Sequence, residues 1–223
     1  MFRIIGQILV KDNNAVQSTN FKNILPLGKF DIAFESIQDK EPDEINIIDI
    51  NGNINEFLNN NQLLISKCSY PLSVGGGLYK SNITNDAVDR LVYNSHIFEN
   101  VDMDELNNKG KQARIAYLPF IIRDNNFYVY NSTVNKFIIY ENNIMENSIN
   151  NYSEILLLDA DNQGGKNGFN FNVLKFVNKI ERERILISGG CNEQVLEKAK
   201  KIELAGVVLD NISFYHNENI YKM

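Results

Sequence analysis

Tryptophan is absent, and in 223 residues there are two cysteines, two histidines and four prolines. Cys68 and Cys191 stand alone in the sequence, which leaves no disulfide framework and no paired-cysteine zinc site. No metal and no cofactor is implied. Apolar runs stop well short of the roughly 18 residues that cross a bilayer. The start, Met1-Phe2-Arg3-Ile4, lacks the basic, apolar and small-residue segments of a secretory leader. A cytoplasmic location with no membrane contact is the expectation. Positive charge is also in deficit: 22 Lys and Arg against 28 Asp and Glu give a net charge of −6. That excludes the clustered basic face of a nucleic-acid groove. It leaves small anions open, because backbone amides at turns and helix starts bind phosphate without lysine.

What the chain does have is an outline that repeats about 110 residues later. Lys11-Asp12-Asn13-Asn14, after the apolar run Ile4 to Val10, is echoed by Arg123-Asp124-Asn125-Asn126 after Ile115 to Ile122. Asp43-Glu44 leading to Asp49 is echoed by Ser153-Glu154 leading to Asp159. Ser73-Val74-Gly75-Gly76-Gly77 is matched by Ile187-Ser188-Gly189-Gly190, and His96 to Asn100 by Val207 to Asn211. Each feature is an apolar, strand-like run closing on polar or glycine residues, which reads as two fused copies of one half-domain.

Apolar, β-branched runs alternate with stretches of helical length, as in repeated βα units on a parallel sheet. Strands are expected near 3–10, 45–50, 70–75, 95–99, 113–121, 154–159, 184–188 and 206–210. Helices are expected near 29–38, 54–67, 81–92, 102–111, 143–151, 170–181, 192–203 and 213–221. Lys22 to Gly28 reads as a long first loop, and Phe127 to Tyr140 as an inserted hairpin. Two four-strand halves, about 1–112 and 113–223, then make one domain over residues 1–223, an α/β (β/α)8 TIM barrel. A doubly wound open sheet is the alternative and leaves the repeat unexplained. In a barrel the loops after the strands form the functional rim.

The glycine runs end strands and precede helices, where bare backbone lets a ligand come close and free amides receive phosphate oxygens. A matched pair of them suggests a ligand with a phosphate at each end, flanked by Asn100 and Asn211. Turn glycines and loop asparagines without any ligand are the competing reading.

The segments Arg3-Ile4-Ile5, Val10-Lys11-Asp12, Ser18-Thr19-Asn20-Phe21, Asp43-Glu44 with Asp49, Ser73 to Gly77, Gly164 to Phe169 and Ser188-Gly189-Gly190 resemble a known family. It is the cyclase subunit of imidazole glycerol phosphate synthase, from histidine biosynthesis, together with its sugar-amidating relatives. The resemblance runs from residue 1 to about residue 216. It implies a barrel that docks a glutaminase subunit (class I glutamine amidotransferase-like) below and passes ammonia up to a bis-phosphorylated substrate above. By position, Gly76, Gly77 and Asn100 would hold one phosphate, and Gly164, Gly189, Gly190 and Asn211 the other. The ring of charges at the family's ammonia entrance would fall on Arg3, Glu44, Glu154 and, in place of a lysine, His96. A lone histidine opening an apolar strand is more often a packed or hydrogen-bonded side chain than a proton carrier, and His216 suggests nothing.

The two catalytic aspartates of the family fall on Leu9 and Pro119, neither of which exchanges a proton, so no catalytic residue is assigned. Other family contacts fall on Gln17, Val101 and Gln163. Asp12, Asp159 and Asp161 are the imaginable substitutes. The leading expectation is therefore a divergent cyclase-like subunit of a glutamine amidotransferase system, conducting ammonia without cyclising, with a sugar amidotransferase as a further partner. A lyase using other acid/base residues, and a non-catalytic binder of a phosphorylated small molecule, are the alternatives.

Overall fold

The computed structural model describes residues 1–78, 83, 85–94, 97–98, 112–140, 149–165 and 167–210. Eight parallel strands close on themselves. In chain order they are β1 (Arg3–Lys11), β4 (Glu44–Asp49), β5 (Leu72–Gly75), β6 (Arg90–Tyr93), β7 (Ala113–Arg123), β10 (Glu154–Asp159), β11 (Ile185–Ser188) and β12 (Gly206–Leu209). β12 pairs with β1, and β7 pairs directly with β10. This is the expected (β/α)8 barrel.

Side chains alternate across its wall, as the period of two requires. Ile5, Leu9, Ile48, Val92, Ile115, Leu156, Leu186 and Val208 share an inner cluster. Ile4, Ile8, Val10, Ile45, Ile47, Ile155, Leu157 and Val207 belong to an outer one. The outer cluster packs under α1 (Phe30–Gln38), α2 (Ile54–Asn60), α3 (Gln62–Ile65) and α4 (Glu193–Lys201), which present Phe30, Phe34, Ile37, Leu58, Val195 and Leu196 to it. Both faces of the wall are thus buried, which is why the strands read as continuous apolar runs.

Two hairpins rise from the upper rim. β1 turns at Asp12 and Asn13, with φ of 49° and 62°, into antiparallel β2 (Asn14–Thr19). β7 turns at Asp124 and Asn125, with φ of 49° and 60°, into β8 (Asn126–Asn131) and then β9 (Lys136–Ile139). Positive φ at both central residues is the two-residue turn that suits strand twist, and Asp and Asn tolerate it best. The repeated Asp-Asn-Asn signal is therefore a repeated turn.

Several expected elements are corrected. The fourth barrel strand is Arg90–Tyr93, not 95–99, and it replaces the end of the helix expected over 81–92. Lys22 to Gly28 is not a loop: β3 (Asn23–Lys29) returns along β2 with all seven residues exposed. The helix expected over 54–67 breaks at Asn61 into α2 and α3. In 170–181 only Phe171–Lys175 is helical, as a 3-10 turn capped by the Asn170 side chain. The helices expected over 102–111 and 213–221, and most of that over 143–151, lie outside the described residues.

Candidate functional site

At the strand starts, four charged side chains form a closed ring. The Arg3 guanidinium donates to Glu44 Oε2 at 2.7 Å and to Glu154 Oε1, while Arg90 lies 3.0 Å from Glu44 Oε2 and 3.7 Å from Glu154 Oε2. Parity explains the convergence: each of the four stands at or next to the start of its strand, on the inward face. The Glu44 side chain has no exposed surface, and burial raises its pKa against the opposing pull of Arg90 and Arg3. Two cations balance two carboxylates, so the ring is neutral as a whole.

Among the described residues the fourth member is Arg90. The strand starts at Arg90, and His96 lies beyond its end, outside the described residues. By the same shift the residue that closes this strand is Asn94 rather than Asn100, which is also outside the described residues.

Above the ring the inner wall carries Gln7, Asn46, Ser73 and Ser188, each at most 2% exposed. Ser188 Oγ donates to the Val208 carbonyl at 2.9 Å. Gln7 Nε2 and Oε1 and Asn46 Oδ1 have no protein partner, and Gln7 and Asn46 are register neighbours. A buried carboxamide without partners loses its hydration and recovers little. Gln7→Leu is therefore expected to raise stability by about 1 kcal/mol, read as a higher urea midpoint at unchanged slope. A lower midpoint would show that the carboxamide is satisfied by ordered water.

At the upper rim the two glycine turns have one geometry. Gly76 has φ of 112°, and a Cβ there would run into the Asp49 carbonyl oxygen; Gly189 has φ of 89° and would run into that of Asp159. Gly77 lies against Gly52, and Gly190 against Gly168, in the same relation. Asp49 accepts from the amides of Asn51 (3.0 Å) and Asn53 (2.7 Å). Asp159 accepts from Asn162 Nδ2 (2.7 Å) and the Asn170 amide (2.9 Å), and burial raises its pKa against those bonds. The two carboxylates organise the loops that follow their strands.

The halves differ in what lies over these turns. A cavity of about 420 Å³ opens above the first, lined among others by Gly76, Gly77, Asn51, Asn94, Tyr117 and Pro119. Asn94, which the sequence did not single out, roofs it: Nδ2 donates to the Tyr117 and Tyr130 carbonyls (2.8 and 3.1 Å), and Oδ1 accepts from the Ser132 amide (3.1 Å). Phe21 packs edge-on to Tyr130 at 4.8 Å, joining the two hairpins. Over the second turn, the Gly164 amide donates to Asp210 Oδ2 at 3.1 Å. Gln163, 2% exposed, accepts from Ser18 Oγ (2.8 Å) and the Phe21 amide (3.1 Å), tying the first hairpin to the sixth loop. Asn211, like Val101, lies outside the described residues.

Leu9 is 6% exposed and points into the inner cluster, and Pro119 is buried in the cavity wall. The imagined substitutes do not meet. Asp12 sits in the exposed turn, bonded to Asn51 Nδ2. Asp159 is spent on its loop, and Asp161 makes a two-bond pair with Arg123 at 2.6 Å for each contact. Among the described residues no group of three His, Cys, Asp or Glu side chains could hold a metal, and no helix is long and apolar enough to cross a membrane.

An eight-stranded parallel barrel with paired glycine rims above and a charge ring below defines the class. The family model described as histidine biosynthesis protein matches residues 3–219, and the chain belongs to that family. Among curated relatives, an imidazole glycerol phosphate synthase subunit HisF from Sulfolobus acidocaldarius is 26% identical, over 94% of this chain and 91% of that protein. A putative imidazole glycerol phosphate synthase subunit hisF2 from Vibrio vulnificus is 28% identical, over 97% and 84%. A HisF subunit from a Thermotoga species is 25% identical, over 86% and 80%. The chain is thus a divergent HisF-like member.

Proposed function

We propose that this chain is the barrel subunit of a glutamine amidotransferase system, taking ammonia from a glutaminase bound at the strand starts and conducting it upward without cyclising. The single observation behind this is the contrast within one barrel. The ring Arg3, Glu44, Arg90 and Glu154 is complete and neutral, whereas the acid/base positions are Leu9 and Pro119. General acid/base catalysis needs a titratable group within hydrogen-bond reach of the moving proton. An aliphatic chain and an imino acid supply none. The partnerless Gln7 carboxamide and the Asn46 Oδ1 give the interior polar contacts for a small neutral molecule. On the upper face, Gly76 and Gly77 in the first half, and Gly164, Gly189 and Gly190 in the second, line the place for a phosphorylated ligand. The eventual ammonia acceptor is then a substrate of a separate enzyme, of the sugar-amidating kind.

The test is to mix the purified chain with the glutaminase subunit of the same organism and measure association and glutamine hydrolysis. A complex at micromolar concentration, with hydrolysis stimulated at least tenfold, is expected. Arg90→Ala should abolish the stimulation. Turnover of the bis-phosphorylated aminoimidazole precursor with ammonium should stay at background, since losing an acid/base partner removes a factor of about 10² to 10⁴. Absence of any complex, or measurable cyclisation, would overturn the proposal.

A further inference from the structure

The two halves differ in charge at the upper rim at one pair of equivalent residues. Asn94 is the first residue after β6, the fourth barrel strand; Asp210 is the first after β12, the eighth. Asn94 is neutral, and its carboxamide is used on backbone groups of β7, β8 and the following turn, holding the cavity of about 420 Å³ open beside Gly76 and Gly77. Asp210 places a carboxylate oxygen 3.1 Å from the Gly164 amide. That N–H, on a glycine with φ of 70°, is one of the donors a phosphate oxygen would take in the second half. Burial, with Asp210 and Asp159 adding to it, raises the pKa of the Cys191 thiol. Asp49 and Asp159 are equivalent, and each is bonded into the loop that follows its strand, so what distinguishes the halves is a neutral carboxamide at Asn94 against a carboxylate at Asp210.

We infer that the upper face selects an asymmetric, singly phosphorylated ligand, its phosphate in the cavity beside Gly76 and Gly77 and its hydroxyl or amino end toward Asp210. The inference rests on the reading of the glycine rims as a phosphate site, and it changes the ligand class from bis- to monophosphate. A dianionic second phosphate would have to displace the Asp210 carboxylate from Gly164 and then remain beside it. A hydroxyl or ammonium group would instead donate to that carboxylate.

The probes are fructose 6-phosphate, fructose 1,6-bisphosphate and inorganic phosphate, titrated calorimetrically into wild type, Asp210→Asn and Asp210→Ser, each checked by thermal melting. Wild type should bind the monophosphate at least as tightly as the bisphosphate and take one inorganic phosphate per chain. Asp210→Asn should bind the bisphosphate at least tenfold more tightly, with monophosphate affinity within twofold, and Asp210→Ser should take a second inorganic phosphate. Tighter binding of bisphosphate by wild type, or variants that behave as wild type does, would overturn the inference and leave the rim reading intact. No phosphate binding by any of the three proteins would remove the rim reading itself.

Discussion

Arg3→Ala is expected to lower the unfolding free energy by about 3–5 kcal/mol at pH 8, the range found when one partner is removed from a buried ion pair. Arg3 bridges Glu44 and Glu154, and Glu44 has no exposed surface through which water could take over. Arg90 alone would then face both carboxylates. The pH dependence follows from the direction of the Glu44 shift. Its folded pKa is raised, mainly by burial, and both arginines oppose the rise. Without Arg3 it rises further. A carboxyl with a raised folded pKa favours the folded state most below its unfolded pKa and loses that advantage as pH climbs through the folded one. The variant should therefore recover part of its deficit on going from pH 8 to pH 5, measured by urea unfolding. An equal deficit at both pH values would mean that the ring does not hold Glu44 charged.

The second large effect lies at the opposite end of the barrel. Gly76→Ala combines a φ of 112°, which L residues rarely adopt, with a Cβ directed into the Asp49 carbonyl. Backbone strain of this kind costs about 1–3 kcal/mol, and overpacking against backbone that cannot withdraw adds about 1–3 kcal/mol more. Gly28→Ala is the control, since its φ of 136° is also unfavourable but nothing lies within 4 Å of an added Cβ. Gly76→Ala should melt far below Gly28→Ala or fail to accumulate in soluble form. Equal melting temperatures would show that the rim yields to the methyl group.

Long apolar runs with clear boundaries made most of the barrel legible. β1, β4, β7 and β10 each bury at least five residues, on both faces, and stand out against polar flanks. The fourth strand was hidden for the converse reason. Arg90–Tyr93 is four residues long and begins on a charge that the ring, not the core, requires. Ile97 and Phe98 offered a more apolar alternative a few residues on, and pairing Asn100 with Asn211 fixed the wrong register. That slip put the strand several residues too late, and His96 and Asn100 lie outside the described residues. β3 was obscured by Pro26 and Gly28, which weaken a strand pattern except at a sheet edge, where this strand lies. Arg3, Glu44 and Glu154 were picked out by the family resemblance, and they do meet at the strand starts. Asn94 and Asp210 were not, because their work is done by one hydrogen-bonded atom each and no periodicity announces it.

That outer edge has a consequence for how the molecule behaves in concentrated solution. Among the described residues β3 pairs on one side only, and Ile24, Leu25 and Leu27 are exposed along it. An open edge with apolar side chains is a template on which another copy could add a strand and begin to aggregate. Pro26 sits between them without an amide to donate, and Lys22 and Lys29 place like charges at either end. An incoming ladder would be interrupted at its middle and repelled at its ends, so the hairpin can stay greasy and still remain solitary.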